Sequence, residues 1–482
     1  MLTTDDGRFI FTSLKRGKFS LVGARRGFIL TRYEQHEQFS TAIVTGPGLN
    51  SENLVMRLMP LAVLNGKVLD ENGEPVRQAS VTLYAENHRG GVPRVQPLNS
   101  DMTDDQGYYE FVALTPGNYF VSVAAKPWYA VHGVSSATPE GNSPAGVPSH
   151  LDVAYPSTYY SEATDSQAAS PIAVHGGDHV QADLHLNPVP VLHLIFRAPA
   201  DPERGILMPQ FMKRAFDSFE NAVGDGMQQI SPGAYEITGV PAGKYTVATR
   251  DPQTGQMSQT TEVNLTKDGQ ELDMAQGEPS AILRFSVEMS HQMPLPQQLN
   301  LGLQDSRGQM SGFLPVDASG HVAFEGVQGG KYSILAFGVD KRYSVTRALV
   351  GGVEMPAQEF LVTPGASMDV SIYLTAGVVT VEGFVKRGSK PASGIMVVLV
   401  PKDVQIHGDL FRRDQSDSDG SFVLRGVIPG NYTLVAVEDA WGFAWNQPDV
   451  LNRYIQHGQN LTVGALMTNT VHLPEAVQVQ PR

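Results

Sequence analysis

Thr103-Asp104-Asp105-Gln106-Gly107-Tyr108-Tyr109-Glu110-Phe111-Val112-Ala113-Leu114-Thr115-Pro116-Gly117-Asn118-Tyr119 is the stretch that decides the fold, because a degenerate copy of it occurs five times in the chain. Its glycine pairs are Gly7/Gly17, Gly107/Gly117, Gly233/Gly243, Gly320/Gly330 and Gly420/Gly430, each ten residues apart. Two and four positions after the first glycine come Phe9/Phe11, Tyr109/Phe111, Tyr235/Ile237, Val322/Phe324 and Phe422/Leu424. Apolar side chains at every second position mark a half-buried strand. Two positions after the second glycine stands an aromatic in every copy: Phe19, Tyr119, Tyr245, Tyr332 and Tyr432. The unit reads turn, strand, tight turn, strand, with glycine supplying the positive φ that turns demand.

Successive first glycines lie 100, 126, 87 and 100 residues apart in the 482-residue chain. Each spacing suits one small β-sandwich with its own core and exceeds the roughly 20 to 50 residues of a solenoid repeat. The expectation is an all-β chain, a tandem array of small Greek-key, prealbumin-like β-sandwich domains arranged as beads on a string. Boundaries are placed at 1–59 (partial, its first two strands missing), 60–188, 189–277, 278–375 and 376–482. The chain begins in the middle of a repeat, which suggests a truncated start or a fragment.

A closing pair of short strands recurs, as Ile172–Val174 with Ala182–Leu186, Phe360–Val362 with Val370–Leu374, and Leu461–Val463 with Thr470–Leu473, and each domain is expected to end in a hairpin. The insert at 126–170, rich in Pro, Ser, Ala and Tyr, reads as surface rather than core. Met212 to Ala222 is the one short helical candidate.

Thirty-five basic against 49 acidic side chains give a net charge of −14, which speaks against a phosphate-binding surface, so no nucleic-acid partner is expected. With no cysteine, a disulfide framework, a thiolate metal site and a Cys nucleophile are excluded. No apolar run approaches the roughly 20 residues of a membrane span, and Met1 to Gly7 does not read as a signal peptide.

The opening Gly66…Asp70-x-x-Gly73-x-Pro75-Val76…Ala79-x-Val81, followed by the quoted motif, resembles the carboxypeptidase regulatory-like domain family. The match is closest over 60–125 and 378–437, partial over 1–59, and weak in the two middle copies. The resemblance implies a prealbumin-like sandwich and a non-catalytic accessory or adhesive module of secreted or outer-envelope bacterial proteins. Its expected partner is a protein or glycan at the cell envelope, without a cofactor. Gram-positive pilin sandwiches with a similar motif crosslink Lys to Asn through a nearby acid. Ser122 to Ala125 replace that acid in the second domain, so no such bond is expected there, with Glu438 in the fifth as a counterexample.

No His-Glu-x-x-His or Gly-x-Ser-x-Gly motif is present, so the chain is read as no enzyme. The His cluster His175-Gly176-Gly177-Asp178-His179 offers His175, Asp178 and His179 as metal ligands, or else simple exposed turn residues. The acidic turns before the first glycines, such as Asp104-Asp105 and Asp417-Ser418-Asp419, offer too few oxygens for calcium and read as Asx turns. All three tryptophans follow the motif: Trp128, with Tyr129, and Trp441 and Trp445. They are candidates for stacking on a sugar face, or for capping the ends of their own sandwiches.

Overall fold

The computed structural model describes residues 2–49, 51–88, 91, 93–132, 150–197, 208–222, 226–250, 257–273, 279–290, 293–305, 310–339, 342–355, 359–402, 410–464 and 470–482. Four β-sandwich cores follow one another along the chain: Ala62 to Leu186, Leu194 to Leu272, Ala281 to Ala376 and Val379 to Val477. They are called the second to fifth sandwiches below. The fifth carries an additional apolar layer on its outer face, built on Met396, Val398, Val435 and Trp445.

In the second and third sandwiches the repeat motif crosses between two sheets, and in the fourth and fifth its two strands pair at separate places in one continuous nine-stranded sheet. The strand after the first glycine lies antiparallel to the opening strand of its own sandwich: Tyr108–Leu114 on Ala62–Leu69, Ala234–Pro241 on Val189–Arg197, His321–Val327 on Ala281–Met289, and Ser421–Val427 on Val379–Arg387. The strand after the second glycine pairs away from that opening strand: Gly117–Ala124 on Ser80–Asn87, Gly243–Arg250 on Met208–Ala215, Gly330–Gly338 on Leu299–Asp305, and Gly430–Val437 on Met396–Pro401. The expected closing hairpins are likewise split. Ile172–Val174 pairs with Gly117–Ala124, whereas His179–Gln181 runs parallel to Ala62–Leu69 in the other sheet. Glu359–Val362 and Ser367–Gly377 likewise take different partners, Gly330–Gly338 and Ala281–Met289, as do Gln459–Val463 and Thr470–His472 with Gly430–Val437 and Val379–Arg387. A hairpin would leave both strands in one layer; alternating layers lets both faces of the core close.

Local physics fixes the motif. The first glycine is left-handed in every copy (φ 80° at Gly7, 71° at Gly107, 77° at Gly233, 84° at Gly320 and 80° at Gly420). At Gly107, Gly320 and Gly420 a Cβ would stand about 2.5 Å from the carbonyl oxygen of Val68, Val287 or Val385, so only glycine fits. The second glycine lies beneath the aromatic ring two residues on. That ring's hydroxyl then donates to the carbonyl four residues earlier: Tyr119 to Thr115 at 2.7 Å, Tyr245 to Pro241 at 2.9 Å and Tyr432 to Ile428 at 2.6 Å. This tyrosine corner pins the turn between the two strands.

Three stretches differ from the sequence reading. Met212 to Ala222 is no helix: Met208–Ala215 and Ser218–Ala222 form a hairpin turning at Phe216 and Asp217, with Phe211 and Ala215 buried. The α-helix of the chain, among the described residues, is Pro448–Ile455, with proline in its first turn, Asp449 there and Arg453 in the last turn. The described part of the 126–170 insert is surface only in part: Trp128 and Val131 are exposed, but other residues pack into the fold. Thr158–Tyr159 extends a sheet of the second sandwich, Val153–Ala154 pairs with Val189–Pro190 of the third, and Tyr155, Thr158 and Tyr159 are buried.

The sandwiches touch beyond a bead-like chain. Phe216 packs among Tyr84, Phe120 and Tyr159 of the second sandwich, and Glu220 accepts the hydroxyls of Tyr159 at 2.9 Å and Tyr84 at 3.4 Å. Residues 17–45 lie against the fifth sandwich, some 375 to 400 positions away. Among the described residues no helix is long and apolar enough to cross a membrane.

Candidate functional site

Polar chemistry gathers at the end of the second sandwich where the insert begins. Asp70 closes the turn at Asn72-Gly73, accepting the amides of Asn72 and Glu74 at 2.8 and 2.9 Å, and so presents Glu71 outward. Glu71 accepts the hydroxyl of Tyr129, and that of Tyr155 at 2.8 Å. Burial alone would raise the Glu71 carboxyl, but the Tyr129 hydroxyl, a backbone hydrogen bond and the Tyr155 hydroxyl together outweigh it and hold its pKa below the usual value. Tyr129 is pushed up to about 12, by burial first and then by its bond to Glu71. Pro127 is buried and starts a turn closed by the Ala130 amide on the Pro127 carbonyl, which leaves Trp128 88% exposed. The Trp128 ring stands edge-on to Tyr129, with centroids 5.7 Å apart. An open indole face beside a fixed carboxylate and two phenols offers stacking and hydrogen bonding at one place.

The other aromatic candidates sit differently. Trp441 stacks flat on His36, with centroids 4.8 Å apart and rings within 5° of parallel, and Phe39 lies 5.7 Å away. Trp445 is buried against Phe411, with the Arg413 guanidinium 4.2 Å over its ring. Trp445 is thus buried, and Trp441 is half-buried with one face against the N-terminal segment.

Asp178 accepts the amide of His175 at 2.7 Å and faces its Nδ1 at 3.1 Å, closing an exposed turn. Those bonds hold the Asp178 carboxyl below its ordinary range. His179 follows in the strand His179–Gln181. Among the described residues no three His, Cys, Asp or Glu side chains are grouped as a metal would require. Asp104 and Asp317 cap their own turns, each accepting two following amides at 2.8 to 2.9 Å.

Sequence reading did not single out a second polar group, at the joint between the second and third sandwiches. His193 places Nε2 2.9 Å from Asp152 and Nδ1 3.0 Å from Glu236, and His132 Nδ1 lies 2.9 Å from the other oxygen of Asp152. These residues are scattered over about a hundred positions, so no spacing announces them. Burial opposes charge on His193, but the bonds to Glu236 and Asp152 and the attraction of Asp152 and Asp268 outweigh it, and its pKa is raised.

Residues 63–147 match the carboxypeptidase regulatory-like domain family, so the second sandwich is similar to the family its motif resembles. Residues 374–463 match a different family, the second β-sandwich domain of NOMO1-like subunits of the BOS complex. No curated protein matches the chain. Among solved structures, a streptococcal ancillary pilin is 11% identical, covering 61% of this chain and 100% of its own, with a TM-score of 0.21. The Bacillus anthracis TIE protein is 14% identical over 74% of this chain and 68% of its own, with a TM-score of 0.16. The minor pilin GBS52 of Streptococcus agalactiae is 16% identical over 42% of this chain and 97% of its own, with a TM-score of 0.21.

Proposed function

We propose that the chain is a non-catalytic, extracytoplasmic array of β-sandwiches that serves as a spacer, adhesion or protein-interaction module of a bacterial envelope protein. One observation carries this reading. What recurs from copy to copy is framework, namely the left-handed glycine and the tyrosine corner, while the polar loop chemistry differs in each sandwich. The matching of one sandwich to a regulatory-like domain family supports it. Cell fractionation with an antibody to the chain, followed by protease treatment of intact cells, tests the location. Surface or periplasmic recovery is expected, and a purely cytosolic protein would remove the reading.

A second reading, carbohydrate binding by the second sandwich, is favoured by the exposed Trp128 beside Tyr129 and Glu71. Trp445 is buried and Trp441 half-buried under His36, so the part of a saturable change in tryptophan fluorescence across a glycan panel that is lost with Trp128 reports on Trp128. Trp128→Ala is expected to abolish that change and weaken binding about tenfold or more. A panel without any saturable response disposes of this reading.

A further inference from the structure

Residues 17–45 bury little by themselves. Of residues 2–49 only Thr41, Ile43 and Val44 are buried, and the segment's own bonds make two short ribbons and turns rather than a core: Gly17–Phe19 on Ile43–Thr45, Val22–Gly23 on Thr31–Arg32, the Thr41 amide to the Tyr33 carbonyl at 3.1 Å, and a reciprocal pair between His36 and Phe39 at 2.9 and 3.0 Å. Its specific partners belong to the fifth sandwich. Gln415 is the hub, donating through Nε2 to the Glu34 carbonyl at 2.6 Å and to Thr41 Oγ1 at 2.8 Å, with Oε1 3.1 Å from His36 Nδ1. Arg413, its side chain only 5% exposed, pairs with Glu37 at 2.8 Å and lies over the rings of Phe39 and Trp445. The Ala42 amide donates to Asp417 at 2.8 Å, the Val44 amide to Ser418 Oγ at 2.8 Å, and the Ser418 amide returns to the Ala42 carbonyl at 3.0 Å. Lys18 closes the edge on Asp417 at 2.6 Å.

The use of Asp417 sets this surface apart from its repeats. Asp104 and Asp317, at the same place three residues before the first glycine, spend their carboxylates on their own turns. In the fifth sandwich Asp419 takes over the amide of Ser421, at 3.0 Å, and the Asp417 carboxylate faces the incoming segment.

We propose that this face of the fifth sandwich is a segment-docking site whose partner is residues 17–45, drawn from the same chain or from a second copy, so that two copies associate by reciprocal exchange of the segment. A segment that buries its apolar side chains only on another unit makes the same contacts in trans as in cis, and exchange of an identical element is a low-cost route to association. What decides between the two is effective concentration, set here by the second, third and fourth sandwiches, which join the segment to the face in cis and hold it there in the closed structure. At micromolar concentration the native chain is therefore expected to stay closed and monomeric. The inference does not depend on Trp128 or on any glycan.

The full-length variants Glu37→Arg and Arg413→Glu test it. Each sets like charges against each other in cis. Mixing them lets the Glu37→Arg segment meet the Arg413→Glu face while the native segment of one variant meets the native face of the other. Light scattering of the mixture is expected to show a one-to-one dimer about tenfold or more tighter than self-association of either variant. The double variant is expected to return to a monomer with native tryptophan fluorescence from the His36–Trp441 stack. Because Arg413 is nearly buried, the same mixing is done with Lys18→Glu and Asp417→Lys at the outer edge of the contact. Absence of a mixed dimer in both pairs overturns the exchange. Single variants with native fluorescence overturn the docking itself.

Discussion

Ala113 stands where the strand after the first glycine is bulged: Val112 and Ala113 together oppose Val63. The same two-against-one bulge recurs opposite His193, Ile282 and Thr380, and the residue corresponding to Ala113 is then Gly239, Gly326 or Gly426, with φ of 80°, 73° and 65°. Ala113 holds φ 60° without that freedom, and its side chain is exposed, so it gains nothing from packing. A left-handed L-residue costs about 1–2 kcal/mol, partly offset by the extra chain entropy glycine loses on folding. Ala113→Gly is expected to stabilise the second sandwich by about 0.5–1 kcal/mol, seen as a higher denaturation midpoint at unchanged slope. A fall in the midpoint would contradict this account of the bulge. In the sequence, the ten-residue spacing and the aromatic after the second glycine were plain, but the reason for the aromatic was not. Its hydroxyl caps a carbonyl, and that shows only once the turn is built.

At the scale of elements, the strand pairing was legible and its layer was not. Alternating apolar side chains reveal that Tyr109 and Phe111 face a core, and they do, but alternation reads the same whether the next strand stays in the sheet or crosses to the other. Hairpins were expected where the strands take different partners. The helix at Pro448–Ile455 was announced by Pro448 and Asp449 and by Leu451 and Tyr454 at helical spacing, a short signal easily lost among strands. The joint between the second and third sandwiches carries a pH dependence. His193 faces Asp152, Glu236 and Asp268, with His132 across Asp152, and its pKa is raised above the ordinary 6.5. A group raised in the folded state contributes stability that is fully present below its unfolded value and lost as pH rises through the folded one. Thermal stability is therefore expected to fall as pH rises from about 6.5 upward, with the loss flattened in His193→Gln. An unchanged slope in that variant would assign the dependence to another group.

For the whole molecule, charge and composition bounded what the chain does without locating where it acts. A net charge of −14 and the absence of cysteine exclude chemistries, and tryptophans on loops suggest contacts. Which tryptophan meets solvent depends on a segment some 400 residues away in the chain, and nothing near Trp441 in sequence predicts His36 lying on it. That contact has a mechanical meaning. Tension applied between residue 17 and the fifth sandwich falls first on Lys18–Asp417, Arg413–Glu37 and the Gln415 bonds, while the second, third and fourth sandwiches stay slack. The clasp acts as a fuse: when it yields, the length of three folded sandwiches pays out before any of their strands is pulled.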